Sequence, residues 1–273
     1  MNKEIVSYDA EYAKRAQRFV EQERLTTGAF LSIKGGTMML GEETMPGNQV
    51  CVIVLDAVAE NTYYGSEYTE GAPLPPTCYA YGRGAEEIDT LGPHTSMQVD
   101  LSYFQPQNAT CRGCPKNEYG SADKGKGKAC QNRRRLAMIP AGFFKPKGRG
   151  SRDFDLELFT EPQAFASADI VLHKLPVMSV KNWSRYATTL SAPPTKRPPD
   201  GVITRMWVEP DPKSQYMVHF EMVDMVPPEL FEIIERRRIE AESAIMRGYM
   251  APDPDKQKPS PSAVQGSMRG FRR

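Results

Sequence analysis

Residues 111–140 of this 273-residue chain read CRGCPKNEYGSADKGKGKACQNRRRLAMIP, and they decide the fold that we expect. Cys111 and Cys114 are separated by two residues, a spacing at which a tight turn presents two sulfurs to one tetrahedral ion. Cys130 returns after a loop of fifteen residues, and a strand-like apolar segment follows the arginines after it. The stretch therefore predicts a loop closed by a metal ion that leads directly into a β-sheet.

A tetrahedral site needs a fourth ligand, for which Cys78 is the best candidate in the sequence. His94 is the alternative, but it stands in a Gly-Pro-His-Thr turn, where a lone histidine is more often solvated. Cys51 lies in a run of Val and Ile residues, so we interpret it as a small buried hydrophobe. We therefore expect one structural Zn²⁺, with a site containing His94 or no metal at all as the alternatives. The expected ligands are Cys78, Cys111, Cys114 and Cys130.

Residues 60–110 combine little periodic pattern with many prolines and glycines. A structureless loop of that length is rare in a compact domain, so another interaction must order it. A structural zinc contributes on the order of 10 kcal/mol to folding. We therefore expect a zinc-binding insertion at about residues 73–135, within a β domain that spans residues 28–226.

The formal net charge of the chain is only +1, but the charge is unevenly distributed. Residues 111–150 contain 11 Lys and Arg against 2 Asp and Glu, so this segment carries +9 and the remainder carries −8. Such a basic segment on an otherwise acidic protein directs a polyanion to one part of the surface. The charge pattern therefore favours nucleic acid as the partner.

Aromatic residues interrupt the basic segment, as expected of a surface for single-stranded nucleic acid. Exposed rings stack on bases at about 1 to 3 kcal/mol each, while Lys and Arg neutralise the phosphates between them. A solvated charged face with inward-pointing aromatics is the alternative. The expected contact residues are Lys116, Tyr119, Lys124, Lys126, Lys128, Arg133, Arg134, Arg135, Phe143, Phe144, Lys145, Lys147, Arg149 and Trp183.

The common catalytic motifs do not occur in the sequence. Residues 120–127, GSADKGKG, nearly match the phosphate loop of nucleotide hydrolases, but Gly127 replaces the Ser or Thr that holds magnesium. The three histidines are far apart in the chain. Residues 153–157, DFDLE, alternate acidic and apolar side chains, which favours a solvated strand face over a nuclease magnesium site. We therefore expect no enzymatic activity.

Helical patterns flank the β region. Residues 1–27 predict an N-terminal amphipathic helix, and residues 227–250 carry an apolar stripe at helical spacing. Residues 251–273 are rich in Pro, Ser and charge, so we expect a disordered basic tail. The expected strands lie in residues 28–59, 135–144, 170–180 and 204–225.

Several short motifs resemble a family of tailed-phage and prophage proteins. They are GAFLSIKGG at residues 28–36, NTYY at 61–64, PPTC at 75–78 and the cysteine loop that follows. The family is similar to single-stranded DNA-binding proteins of the OB-fold kind with a zinc-bound insertion. The resemblance covers residues 28–140 well and 141–225 only in general strand pattern, and it implies Cys78 as the fourth zinc ligand.

The tail departs from the pattern of replicative single-strand binders. Such proteins commonly end in an acidic segment that recruits partner enzymes, whereas this chain ends MRGFRR. Residues 251–273 contain five Lys and Arg against two Asp. Either the tail joins in nucleic-acid binding, or partners are recruited elsewhere.

Together these features predict a mainly β fold with flanking helices, built as an OB-fold-like five-stranded barrel that carries a zinc-bound loop insertion. The expected function is sequence-independent binding of single-stranded DNA in replication, recombination or repair, with proteins of those pathways as further partners. An RNA-binding or transcription-regulating zinc-ribbon protein is one alternative. A non-catalytic interaction module, docking a partner through the C-terminal helix, is the other.

The sequence also predicts the compartment. No apolar stretch reaches the roughly 18 residues that span a bilayer, and the N-terminus lacks the apolar centre of a signal peptide. Five cysteines with CxxC spacing suit metal binding in a reducing compartment better than disulfides. We expect a cytoplasmic protein without a membrane partner, in the bacterial host if the chain derives from a phage.

Overall fold

The computed structural model describes residues 29–65, 74–95, 97, 103–123 and 125–251. The expected N-terminal helix at residues 1–27 lies outside the described residues. So do the basic tail after residue 251 and the predicted contact residue Lys124.

The described residues form ten strands, numbered here along the chain. The N-terminal five are β1 (Ala29–Lys34), β2 (Thr37–Leu40), β3 (Glu43–Thr44), β4 (Gln49–Tyr63) and β5 (Cys78–Gly82). The remaining five are β6 (Gln131–Pro146), β7 (Phe154–Leu158), β8 (Val171–Leu175), β9 (Val202–Asp211) and β10 (Gln215–Met225). β4 grows from the β-branched run that the sequence singled out, which is the composition that favours strands.

Four α-helices accompany the strands in the described part of the chain. They are α1 (Ala85–Leu91), α2 (Pro162–Ala166), α3 (Val180–Ser191) and α4 (Phe231–Ile245). α4 lies inside the range 227–250 where the sequence pattern placed a C-terminal helix. None of the helices in this part of the chain is both long and apolar enough to cross a membrane.

All ten strands belong to one sheet. Its main path runs β10-β9-β4-β6-β8-β1-β2-β3, with β5 paired to β4 and β7 paired to β6. β1 and β8 run parallel, whereas β4 and β6 are antiparallel over most of their length. The two long strands β4 and β6 therefore form the centre of the molecule, and each contacts several shorter strands.

The prediction of a mainly β fold with helices is confirmed, but the sheet is not the five-stranded closed barrel that we expected. It contains ten strands on an open path, and among the described residues no pairing joins β3 to β10. The core explains the difference. Ala137 and Ile139 of β6 belong to one hydrophobic cluster, and Leu136 and Met138 belong to another. Both faces of the sheet are thus buried, whereas a closed barrel packs one face inward upon itself.

Helix α4 covers one face of the sheet. Ile234, Ala241 and Ile245 are buried at helical spacing and pack with residues of β4 and β6. Buried aliphatic side chains of this kind contribute about 1.5 to 3 kcal/mol each. Helix α4 is therefore a structural layer, and its apolar stripe is already occupied by the sheet.

Helix α3 covers the opposite face, and the sequence did not predict it. The segment expected as a strand at residues 170–180 contains only the short strand β8, after which the chain turns into α3. Trp183, Tyr186 and Leu190 are buried from this helix, and the Trp183 ring lies 5.3 Å from the Phe220 ring. Trp183 is only 5% exposed, so the prediction that it stacks on a base is corrected to a core role.

Acid is expected to destabilise the fold through His173, which is 1% exposed and donates from Nδ1 to the Leu31 carbonyl at 2.9 Å. Burial lowers the pKa of His173 to about 4. An unfolded histidine titrates near 6.5, so the unfolded state binds the proton first and stability falls as the pH drops from about 6.5 towards 4. We expect His173 to account for about 3 kcal/mol of that loss. Urea unfolding at pH 7.5 and pH 4.5 measures it.

The control for this prediction is His173→Gln, whose amide can still donate to the Leu31 carbonyl. The variant should show a clearly smaller difference between the two pH values than the wild-type protein, because the remaining acid sensitivity comes from other groups. An equal pH difference in both proteins would contradict the assignment to His173.

Candidate nucleic-acid interface and cysteine cluster

The strand pairing brings the cysteines together at one end of the sheet. The C-terminal end of β4 lies between β5 and β6, and Tyr63 of β4 pairs with Cys78 at the start of β5. Cys130 directly precedes β6, whose first residue, Gln131, pairs with Thr62. Two cysteines that are 52 positions apart in the sequence thus lie on either side of the same strand end.

A hydrogen-bonded turn carries the other two cysteines. The Cys114 amide donates to the Cys111 carbonyl at 3.4 Å, and the Asn117 amide donates to the Cys114 carbonyl at 2.8 Å. The Asn117 side chain also donates to the Cys111 carbonyl. The Cys130 amide donates to the Lys116 carbonyl at 2.7 Å, which fixes this turn against the start of β6.

The four predicted ligands surround one small cavity of about 20 Å³. Cys78, Cys111, Cys114 and Cys130 all line it, together with side chains from β4 and the 105–117 segment. A space of this size accommodates roughly one small particle such as a water or an ion. The structure therefore brings together the complete set of cysteines that the sequence nominated. We call these four residues and the loop 115–129 between them the cysteine module.

The thiols of the cysteine module are electrostatically linked. Burial raises the pKa of Cys130 to about 12, and the neighbouring cysteines raise it further. Burial also raises the pKa of Cys78 and of Cys111. Two donors oppose this effect, because the Gln107 amide bonds to Cys78 and the Asn61 side chain bonds to Cys111. Like charges disfavour the ionisation of neighbouring thiols, so a cation among the sulfurs would favour their thiolate forms.

The metal centre itself is not shown. Among the described residues, no group of three or more His, Cys, Asp or Glu side chains is arranged so as to hold a metal ion. His94, the alternative ligand, stacks on the Tyr79 ring with the ring centres 5.5 Å apart. The cysteine module thus has the ligand types, the spacing and the common cavity of a zinc site, and zinc ligation stays a prediction.

The loop of the cysteine module carries a basic and aromatic surface. Tyr119 is 83% exposed, and Lys128 Nζ lies 5.1 Å from the centre of its ring. Lys116 lines the cavity, and its Nζ lies 5.1 Å from the centre of the Tyr63 ring. Lys126 is exposed in the same loop. Cations and rings therefore alternate here at contact distance, as the sequence predicted for this segment.

The loop that resembled a phosphate loop is ordered by its own hydrogen bonds. The Gly120 and Ala122 amides donate to the Gly127 carbonyl, at 2.9 and 3.2 Å. Ser121 Oγ donates to the Lys116 carbonyl and accepts a bond from the Ala129 amide. Two of its amides are thus already satisfied within the loop, and the segment does not connect a strand to a helix. This arrangement differs from a nucleotide-binding phosphate loop, in which free amides hold the phosphates.

The three consecutive arginines do not form one surface, because successive residues of a strand point to opposite faces. Arg133 and Arg134 are half-buried at the start of β6. Arg135 is only 3% exposed and donates to Glu60 Oε1 and to the Tyr81 hydroxyl, both at 2.7 Å. Arg135 is therefore corrected from a nucleic-acid contact to a buried structural cation, whereas Arg133 stays a candidate contact.

The second half of the predicted contact set lies at the other end of β6, roughly 45 Å away at about 3.3 Å per residue. Phe144 is buried at 8% exposure, which corrects its assignment as a stacking residue. Lys145 pairs with Glu157 at 2.5 Å, and Lys147 pairs with Asp155 at 3.5 Å. Carboxylates on β7 thus offset the lysines of this end.

Phe143 and Arg149 are the remaining candidates there. Phe143 is 39% exposed and Lys145 Nζ lies 4.6 Å from its ring, while Arg149 is exposed. The acidic residues on β7 were interpreted from the sequence as a solvated face, and Asp155 and Glu157 are indeed exposed. The predicted single basic surface therefore divides in two, and the half at the cysteine module keeps the greater unpaired charge.

Sequence reasoning missed several candidate contact residues. Arg112 is exposed within the CxxC turn, and Phe30 is 44% exposed on β1. Lys174 of β8 lies beside Phe30, with Nζ 5.8 Å from the ring centre. Arg112 lay inside the basic segment and was visible in the charge pattern. Lys174 and Phe30 are brought together by the pairing of β8 with β1 and β6. The sequence carries no local signal for this pairing.

In comparisons with protein-family models, curated proteins and solved structures, no match to this chain was found.

Proposed function

We propose that this chain binds single-stranded DNA through the surface of the cysteine module. The observation that carries the proposal is the contact between the exposed Tyr119 ring and Lys128, on a loop that a backbone hydrogen bond from Cys130 to Lys116 holds against the start of β6. A ring that is 83% exposed is costly to leave in water and is suited to stack on a base. Lys116, Lys126 and Lys128 supply the charge for the adjoining phosphates.

We further propose that Zn²⁺ is the structural ion of the module, held by Cys78, Cys111, Cys114 and Cys130. The CxxC turn, the common cavity and the all-sulfur donor set support this choice, because zinc prefers four tetrahedral thiolate or imidazole ligands. When bound, the ion supplies folding free energy rather than chemistry. Four protein ligands leave no open position, so the proposed role of the chain is binding without catalysis.

The resemblance to phage and prophage single-strand binders supports a role in DNA replication, recombination or repair in the cytoplasm of a bacterial host. The proposal does not need a closed OB barrel. Stacking rings and phosphate-binding cations require an exposed surface of fixed geometry, which the open sheet and the hydrogen-bonded loop supply. Residues 251–273 add five Lys and Arg against two Asp, a charge balance that suits a polyanionic partner.

The charge-reversal variant K126E/K128E tests this surface. The full chain is expected to bind a fluorescein-labelled oligothymidine, and the variant should bind at least about tenfold more weakly at 100 mM salt. The variant should also show a smaller slope of log Kd against log salt, because fewer counterions are released. Fluorescence anisotropy titrations at several salt concentrations measure both quantities.

The matched control is K34E/K213E, which changes the net charge equally at two exposed lysines outside the cysteine module. Its affinity should stay within about twofold of the wild-type value when compared at one salt concentration. Equal losses in both variants would mean that only net charge matters, which contradicts a defined interface. Unlabelled RNA and duplex DNA serve as competitors, and preference for either would support the zinc-ribbon alternative instead.

A further inference from the structure

A second group of cations and rings lies on the face of the sheet that α4 covers, beyond the end of that helix. Arg133 and Arg135 share this face of β6 with Ala137, since residues two apart point to the same side. Lys174 of β8 pairs directly with Arg135, so it points to the same side. The ring of Phe30, on the next strand, β1, lies beside Lys174. Four strand-borne side chains thus converge next to the start of β6.

Lys174 is held between two rings. Its Nζ lies 4.1 Å from the centre of the Tyr249 ring and 5.8 Å from that of Phe30. Among the described residues, it has no carboxylate within ion-pair distance. The carboxylate that acts on it, Glu60, is bonded to Arg135 at 2.7 Å and accepts from the Tyr249 hydroxyl at 2.8 Å. The positive charge of Lys174 is therefore positioned by rings and is not neutralised by a partner.

Arg133 adds a second cation at a suitable distance. In an antiparallel pair, residues that are diagonal neighbours lie about 7–8 Å apart, which is the relation of Arg133 to Lys174. Long, flexible cationic side chains that start from backbone positions this far apart can reach different oxygens of one phosphate. Within the described residues, the guanidinium of Arg133 contacts Gln131 and no carboxylate. In the described part of the chain, neither cation is thus paired with a carboxylate.

We propose that Arg133 and Lys174 form a phosphate subsite, and that the Phe30 ring beside it stacks on a base, for the same single strand of DNA. This subsite rests on the proposed function. It extends the path of the strand from the loop of the cysteine module, across β6 and β8, to β1. The exposed fraction of Phe30, 44%, is large for a phenylalanine on a sheet and supports a base as its missing neighbour.

The subsite also makes binding sensitive to mildly alkaline pH. Burial lowers the pKa of Lys174 to about 8, with Arg135 and Arg133 on β6 lowering it further and Glu60 on β4 opposing them. Tyr249 contributes a neutral ring at this pH, and Phe30 carries no charge. Lys174 is charged below its pKa and loses its proton as the pH rises through about 8, so the phosphate contact weakens between pH 7 and pH 9.

The test compares Lys174→Met and Phe30→Ala with the wild-type protein in oligothymidine titrations. Lys174→Met should weaken binding about five- to tenfold at 100 mM salt and lower the slope of log Kd against log salt by about 0.7, the value for one phosphate of a single strand. Phe30→Ala should weaken binding about fivefold or more without changing that slope. Lys213→Met, the same change at an exposed turn lysine, should leave affinity and slope unchanged.

Lys174→Arg is the control for a loss of affinity that results only from misfolding of the variant. It keeps the charge at all these pH values, so it should bind like the wild-type protein at pH 7 and lose the decline in affinity between pH 7 and pH 9. The subsite is refuted if Lys174→Met and Phe30→Ala bind with wild-type affinity and Lys174→Arg shows the wild-type decline between pH 7 and pH 9. The proposed function still stands in that case, provided that the wild-type chain binds and K126E/K128E does not. If the wild-type chain does not bind single strands, both proposals fail.

Discussion

Replacing Cys130 by alanine is expected to abolish binding of the proposed zinc ion and to unfold the cysteine module. Cys130 is buried beside the cavity, and without its thiol the remaining three thiols cannot form a closed four-ligand site. A structural zinc is worth on the order of 10 kcal/mol, more than the net stability of many domains. The wild-type chain should contain one zinc per molecule by elemental analysis, and Cys130→Ala should contain almost none.

Loss of the ion is expected to affect both the order of the loop and the affinity for DNA. Backbone amides of residues 111–130 should exchange with deuterium much faster in the variant, since the turn loses its closure. The two hydrophobic clusters on the faces of the sheet do not include the 111–130 loop, so exchange in β4 and β6 should change less. Affinity for oligothymidine should fall because Lys116, Tyr119 and Lys128 are no longer held in place.

Cys51→Ala provides the matched control. Cys51 is 1% exposed in the cluster beneath α4, and burial raises its pKa to about 12, so it behaves as a small apolar side chain. Its truncation should cost on the order of 1 kcal/mol and leave the zinc content at one per chain. A protein that melts at the same temperature with and without a chelator, and that binds no zinc when refolded with it, would contradict the zinc proposal.

The sequence predicted those features of this molecule that depend on local pattern or on ligand chemistry. The apolar run around Val50 became β4, and the helical stripe after Pro228 became α4, because each buries an apolar face with its own periodicity. The four cysteines converge on one cavity because the loops between them are long enough to return. Charge counting located the basic loop correctly, since charge is a property of composition.

The errors came from features that depend on strand pairing. Three successive arginines were expected to follow one path, but a strand sends neighbouring side chains to opposite faces. Arg135 then meets Glu60, which is 75 positions away in the sequence. Trp183 was assigned to a surface because Lys181 and Arg185 flank it, although Trp183, Tyr186 and Leu190 already showed helical spacing. The ten-stranded open sheet follows from long-range pairings that no local pattern specifies.

Arg135→Met is expected to cost about 3 to 5 kcal/mol of folding stability, because it leaves a buried carboxylate without its cation. Glu60 is completely buried, and its Oε2 atom has no partner within the described residues. After the substitution, the hydroxyl of Tyr249 is the one hydrogen bond to Oε1 that remains in the described part of the chain. Urea denaturation at pH 7 measures the loss.

The reciprocal variant, Glu60→Gln, should cost less than Arg135→Met. Arg135 then keeps bonds to the Ile245 and Arg247 carbonyls, both at 3.0 Å, and to the Tyr81 hydroxyl. The double variant R135M/E60Q should recover part of the loss of R135M, since no buried carboxylate remains. Because two of these bonds reach the end of α4, the buried pair joins the C-terminal helix to the strands beside the cysteine module. If R135M were as stable as the wild-type protein, the assignment of Arg135 to a buried structural role would be contradicted.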